Sequence, residues 1–299
     1  MIRRLLLCIV LLMAGLPALA DTASGIAALD RGDYAGALAL LKPEAEKGDP
    51  AAQVKYGLML AQGFGVARDP AAAVEWFRKS AAQNHPEGQY MLGVAYDIGD
   101  AGGIDRAAAE QWYRKSAEQG YADAQFNLGN LLANGDGVAK RPAEGAEWVH
   151  KAAEQKMANA AWLYGMYCMA GTGVDRNVLA ARYWLAQATA LGQPKAAEAL
   201  DTVEAAMRKI EAEGAPRTAG GDGSSKERAI ALPDAKTESE GIKAEHLVTR
   251  SYFPGWSWRA QSLMSGVDNR PIDAIELVDA KGATRTIYFD LTNWFGNME

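Results

Sequence analysis

Three histidines, one cysteine near the middle of the chain and one cluster of aspartates are the residues able to carry chemistry in this 299-residue sequence. None of His85, His150 and His246 stands near a cysteine at zinc-ligand spacing. One 36-residue step away, Arg114 takes the place of His150 and Tyr121 that of His85, so both read as surface histidines. Cys168 shares its column with Leu60, Tyr96 and Leu132, the signature of a core position and not of a nucleophile. Asp97, Asp100 and Asp105 invite a calcium loop, but their spacing departs from the helix-loop-helix pattern and no glutamate closes it. A solvated turn is expected instead. There is no Gly-x-Ser-x-Gly elbow, phosphate-binding loop or dinucleotide fingerprint. No catalytic residue, metal or cofactor is therefore expected, and the chemistry to look for is recognition.

The elements that would present such a surface repeat at a fixed interval. Trp76, Trp112, Trp148 and Trp184 lie 36 residues apart, as do Gly57, Gly93, Gly129 and Gly165. A period of a few tens of residues marks units that bury their apolar faces only by stacking on one another. Four units follow, 50–85, 86–121, 122–157 and 158–193, each a helix, a glycine-rich turn and a second helix. In the first helix Ala124, Leu128 and Leu132 fall four apart and share one face. Glycine inside a helix costs about 1 kcal/mol relative to alanine, so its recurrence predicts a close approach with no room for a Cβ. Gly63 and Gly65 should end a helix in the left-handed conformation, with Val66 tucking back into the core. The tryptophans and the alanine pairs beside them, Ala81-Ala82 and Ala152-Ala153, should form the packing between units. In the second unit the glycine-aliphatic pair arrives two residues late, at Gly103-Ile104.

The pattern Ala-x-Ala-Gln-x-x-Leu-Gly followed by Gly-x-Gly-Val, Ala-x-Glu-Trp and Lys-Ala-Ala-Glu-Gln is clearest from Ala122 to Gln155. It resembles the Sel-1-like repeat, a relative of the tetratricopeptide repeat, over Pro50 to Gln193. The resemblance implies a mostly α fold, a right-handed α-α solenoid, that binds a protein or peptide. Asp33 to Ala45 reads as the second helix of a degenerate earlier unit, and Pro194 to Glu213 as a capping helix. In related repeat folds the first helices line the concave side. The columns the repeat leaves free there are Val54, Tyr90, Phe126, Trp162; Leu58, Val94, Asn130, Met166; and Met59, Ala95, Leu131, Tyr167. The candidate binding residues are Tyr90, Phe126, Asn127, Asn130, Asn134, Trp162 and Tyr167, with aromatics as anchors and amides for a peptide backbone. The Val54 column has a second reading, in which its rings seal one unit against the next.

The N-terminus reads as a secretory leader over 1–20: Arg3 and Arg4, the apolar run Leu5 to Leu16, Pro17, then Ala18-Leu19-Ala20 before cleavage. The mature chain is expected to start at Asp21, with no further membrane span, in the periplasm or secreted. Cleavage removes two basic residues and no acid, so 31 basic residues become 29 against 37 acidic and the net charge moves from −6 to −8. That balance excludes nucleic acid as an expected partner. Cys8 leaves with the leader, so no internal disulfide is available.

After the repeat region (21–213) the composition changes. Gly214 to Ser225 is rich in glycine, alanine and serine, and 214–239 reads as a flexible linker. A small α+β domain is expected over 240–299, with a helix from Glu240 to Ser251 and strands at Ser257–Leu263, Ile272–Val278 and Thr284–Leu291. Its aromatics are Tyr252, Phe253, Trp256, Trp258, Tyr288, Phe289, Trp294 and Phe295. Trp256 and Trp258 could clamp a glycan or peptide or pack in the core. The architecture somewhat resembles PepSY-type modules, small extracytoplasmic domains associated with peptidase regulation; an unassigned α+β accessory domain is the other reading. The expected function is an exported, non-enzymatic scaffold for a protein or peptide. The alternative is a cell-wall-directed enzyme or peptidase regulator acting through the C-terminal domain on glycan or peptidase.

Overall fold

The computed structural model describes residues 16–235, 238–266 and 270–292. The expected leader lies, up to residue 15, outside those residues, as do Trp294 and Phe295. The chain divides into two compact units, Met1–Arg141 and Pro142–Glu299.

The first unit is helical: α1 (Leu16–Asp30), α2 (Tyr34–Lys47), α3 (Pro50–Gln62), α4 (Pro70–Ala82), α5 (Pro86–Ile98), α6 (Arg106–Glu118) and α7 (Ala122–Asn134). Local chemistry sets the boundaries. The side chains of Asp33, Asp49, Asp69 and Asp105 each accept the backbone N–H three residues on, at 2.7–2.9 Å, satisfying a donor the helix start leaves open. His85 does the same for Gly88 through Nδ1, at 3.3 Å. At the other end of α3, Gly63 sits at φ +78° and returns its N–H to the Met59 carbonyl. Val66 packs against the core as the sequence implied. Ile104 does not: the two-residue delay in the second unit leaves it 66% exposed.

The helical glycines are places of contact. A Cβ on Gly57 would lie 2.6 Å from a ring carbon of Phe77, and one on Gly93 would lie 2.7 Å from Tyr113. The two helices of a pair thus touch where the first has no side chain. A polar ladder joins successive pairs: Ser80 Oγ donates to the Pro50 carbonyl and Ser116 Oγ to that of Pro86, at 2.8 and 2.7 Å. The amides of Gln83 and Gln119 donate to buried Gln53 and Gln89. Burial of Leu41, Met59, Leu92, Leu128 and Leu132 contributes about 1.5–3 kcal/mol for each side chain.

The second unit contains α8 (Pro142–Glu154), α9 (Ala158–Ala170), α10 (Val178–Ala190) and α11 (Ala196–Ala212), the last matching the expected capping helix. Then come β1 (Ala219–Gly220), a single 3-10 turn at Lys226–Arg228, β2 (Ile230–Ala231), α12 (Glu238–Tyr252), β3 (Trp256–Ser265), β4 (Pro271–Asp279) and β5 (Thr284–Asp290). The sheet order is β1-β2-β5-β4-β3, with β2 parallel to β5 and the other pairs antiparallel. The β4–β5 turn is held by Asp279 Oδ1, which accepts from the N–H groups of Lys281 and Ala283.

Two expectations need correction here. Residues 214–239 are not simply a flexible linker, because β1 and β2 extend the sheet and Ile230 and Leu232 are buried in its core. Tertiary pairing with β5 imposes strand structure on segments too short to show alternation. Nor does a compact boundary fall at the end of the capping helix. Arg182 of α10 donates to the Thr218 carbonyl at 2.7 Å, and Arg228 and Arg285 pair with Glu154 and Asp175. The last helices and the sheet therefore belong to one unit.

Candidate functional site

The expected amide row is on α7 in the first unit. Asn127, Asn130 and Asn134 fall at helical spacing on one face. With Leu131 they line a cavity of about 200 Å³ completed by Asp97, Arg106 and Asp136. The repeat architecture brings these together: Asp97 ends α5, Arg106 starts α6, and Asp136 lies in the turn after α7. Asn134 Nδ2 donates to Asn130 Oδ1 at 2.9 Å, which orders the two exposed amides. Arg106 donates through Nε to Asp97 Oδ1 at 3.1 Å and pairs through Nη1 with Asp136. Tyr113 donates its hydroxyl to Asp97 Oδ2 at 3.3 Å. Burial first, then the Asp97 charge, raises the Tyr113 phenol, so it stays a donor at neutral pH. Two of the three aspartates that suggest calcium have structural partners: Asp97 is in this network and Asp105 caps α6.

An amide offers a donor and an acceptor at once, matching the alternating groups of an extended backbone. Two carboxylates against one guanidinium leave the cavity a net negative charge, which favours a basic side chain in whatever enters.

The aromatic candidates fall in different settings. Tyr90 is half-buried with its ring 5.9 Å from that of Tyr113 and 5.2 Å from that of Tyr121, and Val54 in the same column is buried. Both of those rings lie in the same repeat as Tyr90, 86–121. Phe126 is half-buried. In the second unit Trp162 is half-buried, with Lys195 Nζ 5.9 Å from its ring centre. Tyr167 must leave the candidate surface: it is only 7% exposed, and its hydroxyl is buried without a hydrogen-bond partner among the described residues. The rest of its column, Met59, Ala95 and Leu131, is buried too, and that uniform apolar character was the signal for core.

Trp76 and Trp112 pack against the apolar clusters beside them, and Trp184 meets His150 of the preceding repeat, with an addition the spacing did not suggest. Lys79, Lys115 and Lys151 place their ammonium groups 3.7–4.0 Å from the ring centres of Trp76, Trp112 and Trp148. Position 187 holds glutamine instead, and Arg228 from the segment after β1 lies over Trp184 at 4.8 Å. Gly129 and Gly165 are buried, the latter against Leu185. In the C-terminal region His246 stacks on Trp258 at 3.8 Å, and Arg285 lies over Trp256 at 4.8 Å. Both rings of the expected clamp are thus engaged within the chain.

Among the described residues no helix is long and apolar enough to cross a membrane. The Sel1 repeat matches residues 50–85, 86–121, 122–157 and 158–193. A Sel1 repeat protein from Oxalobacter formigenes is similar over 62% of this chain and 76% of its own, with 31% identity and a TM-score of 0.57. The uropathogenic Escherichia coli protective antigen c5321, which displays an SLR fold, is 29% identical over 73% of this chain and 49% of its own, with a TM-score of 0.37. A sel1 repeat protein from Klebsiella pneumoniae is 21% identical over 62% of this chain and 93% of its own, with a TM-score of 0.46. No curated protein matches the chain.

Proposed function

We propose, for a chain that belongs to the Sel1 repeat family, that it is an exported scaffold whose helical repeats capture a protein or peptide partner. The contact surface is the amide row of α7. The observation that carries this reading is the polar cavity in which Asn127, Asn130 and Asn134 meet Asp97, Arg106 and Asp136. Stacked repeats of this kind present extended surfaces rather than reaction centres. The partner segment is extended, hydrogen-bonds to the amides through its backbone, and carries a basic residue toward Asp97 and Asp136. Export is supported by the basic start and apolar run of residues 3–20.

The test compares the full chain with the variant Asn130→Ala plus Asn134→Ala. Both side chains are exposed, so melting should change little, within about 0.5 kcal/mol. Retention of a defined partner from an envelope extract should fall with the variant. Equal retention by both proteins would remove α7 as the contact surface.

A further inference from the structure

A second cavity, of about 250 Å³, lies within the second unit between the last repeat helices and β5. Its walls include His150 of α8, Tyr164 of α9 and Trp184 of α10, three rings in mutual contact at 4.5–5.5 Å. Asp222, in the turn after β1, also lines it and is only 4% exposed. One Asp222 oxygen is engaged: Oδ1 accepts from the N–H and the hydroxyl of Ser224, at 2.9 and 2.6 Å. Oδ2 has no hydrogen-bond partner among the described residues. Oδ2 is not among the atoms sealed from solvent without a partner, so it is open to a charge-assisted donor that enters the cavity, and an ionised acceptor makes that demand stronger.

The surrounding charges leave that demand unmet. Arg228 is paired with Glu154 at 2.9 Å, and Arg285 with Asp175 at 3.0 Å. Burial holds His150 below its usual value, so it adds no positive charge at neutral pH. The three carboxylates Glu154, Asp175 and Asp222 therefore face two guanidiniums, which leaves one net negative charge around the cavity even though Arg228 also attracts Asp222. Aromatic faces attract cations through their quadrupole. At about 250 Å³ the cavity is a little smaller than the roughly 300–1,000 Å³ of usual ligand pockets, which suits a small group.

We propose that this cavity binds a primary ammonium group, held by a charge-assisted hydrogen bond to Asp222 Oδ2 against the wall of Tyr164, Trp184 and His150. The group belongs either to the amino terminus of a peptide or to a free amine. This site is separate from the amide row on α7, and either can fail without the other.

The experiment is calorimetric titration of the full chain with alaninamide and with putrescine, using N-acetylalaninamide as the uncharged control. Binding of alaninamide alone identifies a peptide terminus; binding of putrescine, alone or as well, identifies a free amine. The acetylated control should not bind. Asp222→Asn keeps the acceptor for Ser224 and should weaken binding about tenfold or more. An independent reading needs no variant: with three histidines in the chain, the ring resonances of His150 should shift saturably with the amine while those of His85 and His246 stay still. The proposal is overturned if neither amine binds, if the acetylated control binds as well, if Asp222→Asn binds unchanged in a folded chain, or if His150 does not respond.

Discussion

Replacing Gly93 with alanine sets two effects of opposite sign against each other. In an exposed helix the change would be favourable by about 1 kcal/mol, since alanine loses less backbone freedom. Here the new Cβ would stand 2.7 and 2.8 Å from two ring carbons of Tyr113. That ring cannot easily step aside, being 1% exposed and tethered by its hydroxyl to Asp97. Overpacking of this kind costs about 1–3 kcal/mol. The net expectation is a loss of about 1 kcal/mol, read as a lower urea midpoint at unchanged slope. The decisive form is a double-mutant cycle with Tyr113→Val, because valine occupies the equivalent position 149. In that background the overlap is relieved and Gly93→Ala should become neutral or stabilising, with a coupling of about 1 kcal/mol or more. Stabilisation by alanine in the unmodified chain, or additivity in the cycle, would refute the claim that the glycine serves close helix approach.

Two further outcomes follow from buried polar groups. Glu245 of α12 is 0% exposed beside the 3% exposed Asp273 of β4, and burial first, then the charge of Asp273, pushes its carboxyl up to about 8. A folded value above the unfolded one means that this group's stability is complete below its ordinary value of 4.5 and is lost as pH rises through about 8. Glu245→Gln, which cannot ionise, should raise stability near neutral pH by roughly 1–3 kcal/mol and have little effect below about pH 4; urea unfolding at several pH values reads this, and an equal effect at all pH values would count against it. Tyr167→Phe removes a buried hydroxyl that has no partner among the described residues, so melting should hold or rise slightly, whereas Tyr167→Ala should lose about 3–5 kcal/mol. A neutral Tyr167→Ala would return that residue to the surface.

Helix positions and turns were largely legible because the repeat prints the same constraints four times. The tryptophan and glycine columns, the proline starts and the capping aspartates all signal locally. Sequence alone places Tyr167 on the surface because its column looks free within one unit, whereas both sides of a first helix are covered in a stack. Met59, Ala95 and Leu131 in that column already showed the apolar consistency of a core. The amide row could be found from α7 alone, but its partners Asp97, Arg106 and Asp136 come from different helices and turns. Only the fold brings them together. The strands β1 and β2 were hidden for a related reason: two-residue segments among glycines have no alternation to read, and their pairing with β5 is a tertiary event.

The central claim is that the α7 amide face, rather than the outer face of the second helices, meets the partner. Site-specific photo-crosslinking from position 130 or 134, with the exposed position 75 of α4 as the comparison, is the sharpest check. The account predicts a discrete crosslinked partner from 130 and 134 and none from 75. Crosslinking from 75 with silence at 130 and 134 would contradict it.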